Sequence, residues 1–431
     1  MNILFVTQFF YPENFRINDL ARRLMERGHS VTVLTGMPNY PGGDFYEGYG
    51  FFGNRYELMD GVRILRVPVI PRKKGFLFLS LNYLSFIISG CLRAFFMKAD
   101  DFDIIYAFGT SPITQALPAL VIKKRRNCRV ILNVQDLWPD NVTAITGLKN
   151  PFCLFWLGEL VDFIYNRCDL ILGTSRSFVR AIKSRPGLKE KRKVAFWPQY
   201  SVVERSGETR RDLLKEGVFH VVFTGNVGQG QGLETAIRAA RLLKDRYEGR
   251  LHFDIVGDGR QREALEQLAR ELSVLGSQAD DLSTETLKSH KAGPGPLVRE
   301  RKEGMVFFHG SYPEEEIPAI LNTADAALLI LKEDDIFKRT IPAKLQTYLA
   351  CGCCVVACAK GETKSLIEDN GIGICSRGIF PSDLADAVEK IMNMDEKERR
   401  IMRRRALRLS RDMFDASSLI DDLEYYMECL S

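Results

Sequence analysis

The sequence predicts an α/β protein built as two doubly wound parallel sheets, and three observations carry that reading. The chain has 431 residues, more than one ordinary hydrophobic core accommodates, so two domains are expected. It opens strand–helix–strand: an apolar run at 2–7, an amphipathic stretch at 16–27 closed by Gly28-His29, and a second apolar run at 30–35. Near the middle, the apolar run 218–223 enters Gly225-Asn226-Val227-Gly228-Gln229-Gly230-Gln231-Gly232, and a helical pattern with Leu233, Ile237 and Ala240 follows.

A strand, a glycine-rich turn and a helix start form an anion site, because backbone N–H groups can approach a ligand at the positive end of the helix dipole. The same glycines serve a plain tight turn equally well. The loop after the first strand lacks the full dinucleotide glycine fingerprint, which argues against NAD.

Composition narrows the class. Hydrophobic residues at 45% and charged residues at 27% are those of a soluble globular protein, and a net charge of +5 does not indicate nucleic acid. The chain enters its first strand with no basic leader, so no secretory signal is expected, and the ten cysteines are expected reduced, in the cytoplasm. Cys351, Cys353, Cys354 and Cys358 lie in an apolar run without a histidine and read as small core residues. No His, Cys, Asp or Glu spacing predicts a metal site. His29, His220, His252 and His309 fall in or beside strand patterns and need no chemical role, and His290 lies in a polar insertion.

In chain order, loops 8–14 and 36–43 follow the first two strands, and a third strand is expected at 62–67. Arg72, Lys73 and Lys74 precede 75–96, which is apolar nearly all round and about the length of a membrane span. Ser80, Asn82, Ser85, Ser89 and Arg93 interrupt it, so the expectation is a crossover helix with one side on the sheet and one on lipid. Strand 103–108 ends at Gly109-Thr110-Ser111-Pro112, with Pro112 expected at the first helical position of a helix running to about Lys124. Strand 129–134 ends in Gln135-Asp136-Leu137-Trp138-Pro139-Asp140, at the edge where open α/β sheets bind ligands. Helix 151–167, strand 170–173, helix 176–184 and strand 193–196 complete a first domain, 1–203, and 204–216 reads as an exposed linker with a short helix.

The second domain, 204–411, repeats the pattern with strands at 218–223, 251–256, 305–308, 326–331, 354–359 and 372–375. A polar stretch, 274–303, reads as a surface insertion. The tail 412–431 has apolar residues at helical spacing and is expected to pack back on the first domain.

Three stretches together resemble the family 4 glycosyltransferases: YPENFR…LARRLMERGHSVTVLTGMPNYPGG, VQDLWPD and TIPAKLQTYLACGCCVVA. They are most similar to the transferases of bacterial surface polysaccharides, fucosamine-type and colanic-acid-type included, over nearly the whole chain outside 274–303. The resemblance implies the GT-B fold, two Rossmann-like domains facing a central cleft, with the acceptor on the first and the donor on the second. It further implies retention of anomeric configuration without a metal or other cofactor. The implied donor is a nucleoside-diphosphate sugar, UDP-linked, with an N-acetylated amino sugar such as FucNAc as one instance. The implied acceptor is an undecaprenyl-diphosphate-linked glycan in O-antigen, capsule or exopolysaccharide assembly at the cytoplasmic face of the inner membrane, with the enzyme bound peripherally to that inner leaflet.

The chain departs from the family at the donor site. The family's two glutamates, with seven residues between them, fall on Thr347 and near Arg339, and its lysine at the end of the glycine loop is Gln231. The subgroup with a Pro-Ala-Lys stretch tends to lack that pair, which makes this a variant site. Cations for a diphosphate then come from Lys338, Arg339 and Lys344. Lys344, Arg339 and Asp136 are the candidate catalytic residues. Donor contacts are expected from Gly225, Asn226, Gly228, Gln231, Gly257, Lys338, Thr340, Pro342, Thr347 and Glu362. Acceptor contacts are expected from Glu13, Asn14, Arg16, Asn39, Tyr40 and Trp138. Plain readings stand beside these: Asp136 as a turn aspartate, Glu13 and Asn14 as helix caps, Glu362 as an exposed helix-start acid, Trp138 as a partly buried ring. A UDP-sugar 2-epimerase of the same plan would need carboxylates and histidines at the site, and an inactive scaffold of a polysaccharide assembly complex would fit the missing glutamates.

Overall fold

The computed structural model describes residues 1–51, 53–73, 75–97, 102–126, 128–202, 213–276 and 304–431. Lys74, residues 203–212 of the expected linker and residues 277–303 of the expected insertion, His290 among them, lie outside the described residues. Two compact units form: Met1–Pro198 with Ala416–Ser431, and Gln199–Asp415.

The N-terminal unit runs β1 (Asn2–Val6), α1 (Arg16–Glu26), β2 (Ser30–Gly36), β3 (Tyr56–Met59), β4 (Val62–Val67), α2 (Phe76–Phe96), β5 (Ile104–Gly109), α3 (Leu117–Arg126), β6 (Arg129–Val134), α4 (Asp140–Thr146), α5 (Pro151–Arg167), β7 (Leu170–Gly173), α6 (Arg176–Lys183) and β8 (Val194–Phe196). The strand order is β3-β4-β2-β1-β5-β6-β7-β8. Central strands such as β5 are buried on both faces, so they read as unbroken apolar runs. All pairings are parallel except β3 with β4. Sequence pattern misses β3 because it is short and half exposed, although its signal is present: Asp60-Gly61, with φ of 48° and 85°, is an Asp-Gly hairpin turn.

α2 is a docked crossover helix. Asn82, Phe86, Gly90 and Ala94, four residues apart, form its buried stripe. The Asn82 amide accepts from Gln8 Nε2 at 2.7 Å and donates to the Ile70 carbonyl at 2.6 Å. Those bonds satisfy a polar group that hydrocarbon would leave unpaired. Pro112 corrects an expectation: it is extended (ψ 151°) ahead of a 3-10 turn, Ile113–Ala116, and α3 begins only at Leu117.

The C-terminal unit runs β9 (Phe219–Thr224), α7 (Leu233–Tyr247), β10 (Leu251–Val256), α8 (Arg262–Glu271), β11 (Val306–Gly310), α9 (Ile317–Thr323), β12 (Ala326–Ile330), α10 (Asp335–Arg339), α11 (Ala343–Ala350), β13 (Val355–Cys358), α12 (Gly361–Asp369), β14 (Gly373–Cys375), α13 (Pro381–Met392) and α14 (Glu396–Phe414). Its strands are parallel, in the order β11-β10-β9-β12-β13-β14. Cys351, Cys353, Cys354 and Cys358 are buried free thiols in its core. α14 opens with a capping box, Asp395 accepting from the Glu398 N–H at 2.7 Å.

A last helix, α15 (Ala416–Leu430), belongs to the N-terminal unit and buries Leu419, Ile420, Leu423 and Met427. Its Glu424 meets Arg27 at 2.5 Å and His29 at 2.6 Å, and Trp197 donates its indole N–H to the Leu419 carbonyl at 2.7 Å. Burial of the apolar stripe is the main stabilising term, since partly exposed ion pairs contribute about 1 kcal/mol or less.

Candidate active site

In each unit the residues singled out from sequence stand at the C-terminal ends of adjacent central strands. That is where parallel sheets collect ligand groups, because every connection leaves the strands there.

In the N-terminal unit they lie on the loops after β1, β2 and β6, with Arg16 at the start of α1, and a fourth loop follows β5 between them. Each of the four holds a cis X–Pro bond: Tyr11-Pro12, Tyr40-Pro41, Ser111-Pro112 and Trp138-Pro139. Glu13 is buried and joins two of these loops. Its Oε1 accepts from the N–H groups of Asn39 (2.8 Å) and Tyr40 (2.7 Å), and its Oε2 from Phe10 (3.2 Å). Burial pushes its carboxyl up to about 7, against the pull of those N–H groups and Arg66. Glu13 and Asn14 do not cap α1; Phe15 occupies the N-cap without a side-chain bond, Asn14 is exposed, and Arg16 is the first helical residue, half-buried.

Asn39 is buried. Its amide donates to the Met37 carbonyl (2.8 Å) and accepts from the Arg72 N–H (3.0 Å). Tyr40 stays exposed, packed beside Phe9 and Phe15 with the Arg72 guanidinium 5.3 Å from its ring centroid. Asp136 accepts from the Ser111 N–H at 2.8 Å, and Trp138 donates its indole N–H to Ser111 Oγ at 3.1 Å. Asp136 thus ties the β6 loop to the β5 loop; α4 starts later, after Pro139. Gln115, which sequence reasoning missed, accepts from the Gln8 N–H at 2.7 Å and donates to Thr110 Oγ1 at 2.9 Å. A buried glutamine one turn after a strand end carries no pattern that marks it.

In the C-terminal unit the connections that follow β10, β9, β12 and β13, four neighbouring strands, carry every expected donor residue, on loops or on the helices they lead into. The glycine loop leaves β9, forms a 3-10 turn, Gln229–Gln231, and passes through left-handed Gly232 (φ 59°) into α7. The Gly225 N–H donates to the Val256 carbonyl (2.9 Å) and the Val227 N–H to the Asp258 carbonyl (2.8 Å). This layer of backbone on backbone requires glycine at 257: φ is +139°, and a Cβ would stand 1.9 Å from the Gly225 carbonyl oxygen. Asn226 is exposed beside Gly228.

Lys344, in the first turn of α11 after Pro342, reaches the glycine loop. Its ammonium donates to Gln231 Oε1 at 2.6 Å and lies 3.8 Å from the centroid of the Phe223 ring. Desolvation pulls its pKa down to about 7. Lys338 pairs with Asp335 at 2.6 Å, and half-buried Arg339 ends α10. Thr340 receives the Thr363 hydroxyl on its carbonyl at 2.7 Å, so α12, with Glu362 in its first turn, is fastened to the end of α10. Thr347 is half-buried on α11. Tyr348 was not foreseen: its hydroxyl accepts from the Thr224 N–H and donates to the Leu328 carbonyl, both 3.1 Å, and so fixes the end of β9.

Metal-binding residue types come together at Asp334-Asp335 and around Asp254. Asp334 Oδ1 caps the Ile336 N–H at 2.9 Å and Asp335 holds Lys338, so both are engaged. His220, His252 and Asp254 each place a ligand atom within 4.8 Å of the others, a group that strand pairing assembles and linear spacing hides. His220 has both ring nitrogens against oxygens, Asp254 Oδ2 at 2.6 Å and the Lys215 carbonyl at 2.8 Å, and His309 meets Asp254 Oδ1 at 2.7 Å. Burial opposes the charge on Asp254, but the hydrogen bonds from the two histidines outweigh it and hold the carboxyl well below its ordinary value. The histidines therefore have a structural role that their strand positions alone did not suggest.

Two parallel α/β units with ligand loops at their C-terminal strand edges define the GT-B fold, and solved structures bear this out. Sucrose-phosphate synthase from Thermosynechococcus elongatus superposes over 100% of both chains with a TM-score of 0.68 at 15% identity. HepE of Anabaena, solved with UDP, does so over 100% of both chains with a TM-score of 0.65 at 14% identity. The chain belongs to the glycosyltransferases: residues 14–195 match the glycosyl transferase 4-like domain, and residues 282–394 the glycosyl transferases group 1 domain. It is 25% identical over 376 residues, 83% of each chain, to the putative colanic acid biosynthesis glycosyl transferase WcaI of Escherichia coli K12.

Proposed function

We propose that the chain transfers a sugar from a UDP-sugar to a lipid-linked oligosaccharide during assembly of a bacterial surface polysaccharide, retaining the anomeric configuration and needing no metal. The C-terminal unit takes the donor and the N-terminal unit the acceptor. The likeness to WcaI supports the pathway class, and the UDP bound by HepE supports the nucleotide.

The observation that carries the reading is Lys344. Its ammonium is desolvated at the glycine loop and partnered by a neutral amide, Gln231. A leaving diphosphate in that place gains a cation as its charge develops, with the reorganisation already made by the fold. A leaving-phosphate oxygen then takes the acceptor proton, so no strong side-chain base is required. On the other unit, the exposed outer face of α2 rests on the inner leaflet and brings the acceptor loops to a membrane lipid.

The test is a panel of UDP-, GDP- and dTDP-sugars read by thermal shift and slow donor hydrolysis, with and without chelator. A UDP-sugar is expected to raise the melting temperature and to be turned over in chelator. If no nucleoside-diphosphate sugar shifts the protein, the reading fails. Turnover abolished by chelator and restored by Mg²⁺ would overturn its metal-free part.

A further inference from the structure

We propose that the N-terminal unit stands on an anionic bilayer through two helices, with the first two turns of α5 as a second anchor beside α2. This rests on the membrane reading of α2 and adds a site of its own.

The inner face of α5 is core: Val161, Ile164 and Tyr165 are buried. Its first turns do the opposite. Phe152 is 69% exposed, Phe155 59% and Trp156 58%. These rings pack edge-on against one another, Phe155–Trp156 at 5.7 Å and Phe152–Trp156 at 6.2 Å between centroids. Three large aromatics in five residues, turned away from the core, cost solvation free energy in water and regain it at an acyl boundary, where Trp is favoured.

The placement makes α2 and α5 parts of one surface. Residues of α2, α3 and α5 enter the same core cluster, and α3 packs against both neighbours, so the three lie side by side on one face of the sheet. α2 leads into β5 and α5 into β7, so both helices run back toward the N-terminal ends of the strands and begin toward the C-terminal edge. Phe76 and Phe78 therefore stand at the same edge as Phe152, Phe155 and Trp156, and as the loops with Tyr40 and Trp138.

The charge around this face identifies the occupant. Arg72, Lys73 and Lys149 lie just before the two helices, and Lys124, Arg125 and Arg126 end α3, with Arg125 4.5 Å from the Phe95 ring centroid. α2 has no acidic residue. An apolar face with a basic rim complements lipids with anionic headgroups, whereas a second copy of this chain would bring the same basic rim against it. Exposed Glu159, one turn after Trp156, confines insertion to the start of α5.

Trp156 reports on this directly. The chain has three tryptophans; Trp197 is buried and Trp138 is half-buried with its N–H bonded. Full-length protein is mixed with phosphatidylglycerol-containing vesicles, with and without acyl-brominated lipid, and vesicle binding is measured by flotation. Expected are quenching that Trp156→Phe abolishes, and at least tenfold weaker binding when Phe152, Phe155 and Trp156 are all changed to Ser, with donor hydrolysis unchanged. Flotation of the parent without quenching of Trp156 would overturn the α5 anchor and leave α2 standing. A parent that ignores anionic vesicles at low salt would overturn both, and sedimentation as a dimer would then assign the face to a second copy.

Discussion

Above the strand ends of the N-terminal unit, loops are held by buried and half-buried side chains: Glu13 on three backbone N–H groups, Gln115 on Gln8, Asp136 on Ser111. Above those of the C-terminal unit, backbone packs on backbone, with glycine where a Cβ would collide and one lysine laid across the loop. The difference suits the proposed ligands. A polar acceptor of irregular shape needs a carved surface, which side chains provide. A diphosphate needs backbone N–H groups at close range and a cation, and side-chain bulk would keep it away.

The largest expected effect breaks the backbone layer. Gly257→Ala adds strain at φ +139° and a contact of 1.9 Å with the Gly225 carbonyl, together about 3–5 kcal/mol of stability in urea unfolding. Gly28→Ala, at φ +86° with open space around it, is the control and should cost about 1–2 kcal/mol. Equal costs would mean that the loop-on-loop contact adds nothing.

Next is the side-chain scaffold. Glu13→Ala strands the N–H groups of Asn39, Tyr40 and Phe10 and should cost about 2–3 kcal/mol, while Glu13→Gln keeps an acceptor and should lose about 1 kcal/mol. Both variants should leave the affinity for UDP-sugar unchanged in calorimetry. A weakened donor affinity would show that Glu13 does more than set the loops.

Lys344→Met should weaken UDP-sugar binding by about 1.5–3 kcal/mol without destabilising the fold, since it removes a charge that burial already disfavours. Measured against Gly257→Ala, it separates the cation from the loop geometry.

The smallest effect, at most about 1.4 kcal/mol per pH unit, is in pH. The folded pKa of Lys344 is about 7 and its ordinary value 10.5, so between these the unfolded chain binds the extra proton. Its contribution to stability therefore rises with pH across that window and is lost as pH falls through 7. Donor affinity runs the other way, falling by up to about tenfold per pH unit above 7 as the ammonium is lost, with proton uptake on binding. Lys344→Met should flatten both profiles; an unchanged slope would assign the titration to another group.

The sequence by itself determined the two sheets, the strand ends at which the candidate residues gather, the glycine loop and the returning helix α15. Those features are written locally: strands buried on both faces are apolar runs, turns need glycine, and an amphipathic helix shows its stripe. What only the tertiary structure decided is where each polar side chain spends its bonds. Glu13 reads as a cap or a ligand contact until Asn39, 26 residues away, is beside it. Gln115 and Gln8 are 107 residues apart, and Asp254 meets His220 and His309 only because β9 and β11 flank β10. β3 and α14 stayed hidden for the complementary reason, being half exposed or dominated by surface charge, so that their partners and not their composition define them. A hydrogen bond reaches about 3 Å regardless of sequence separation, so its partner is chosen by the fold and leaves no periodic trace in the chain.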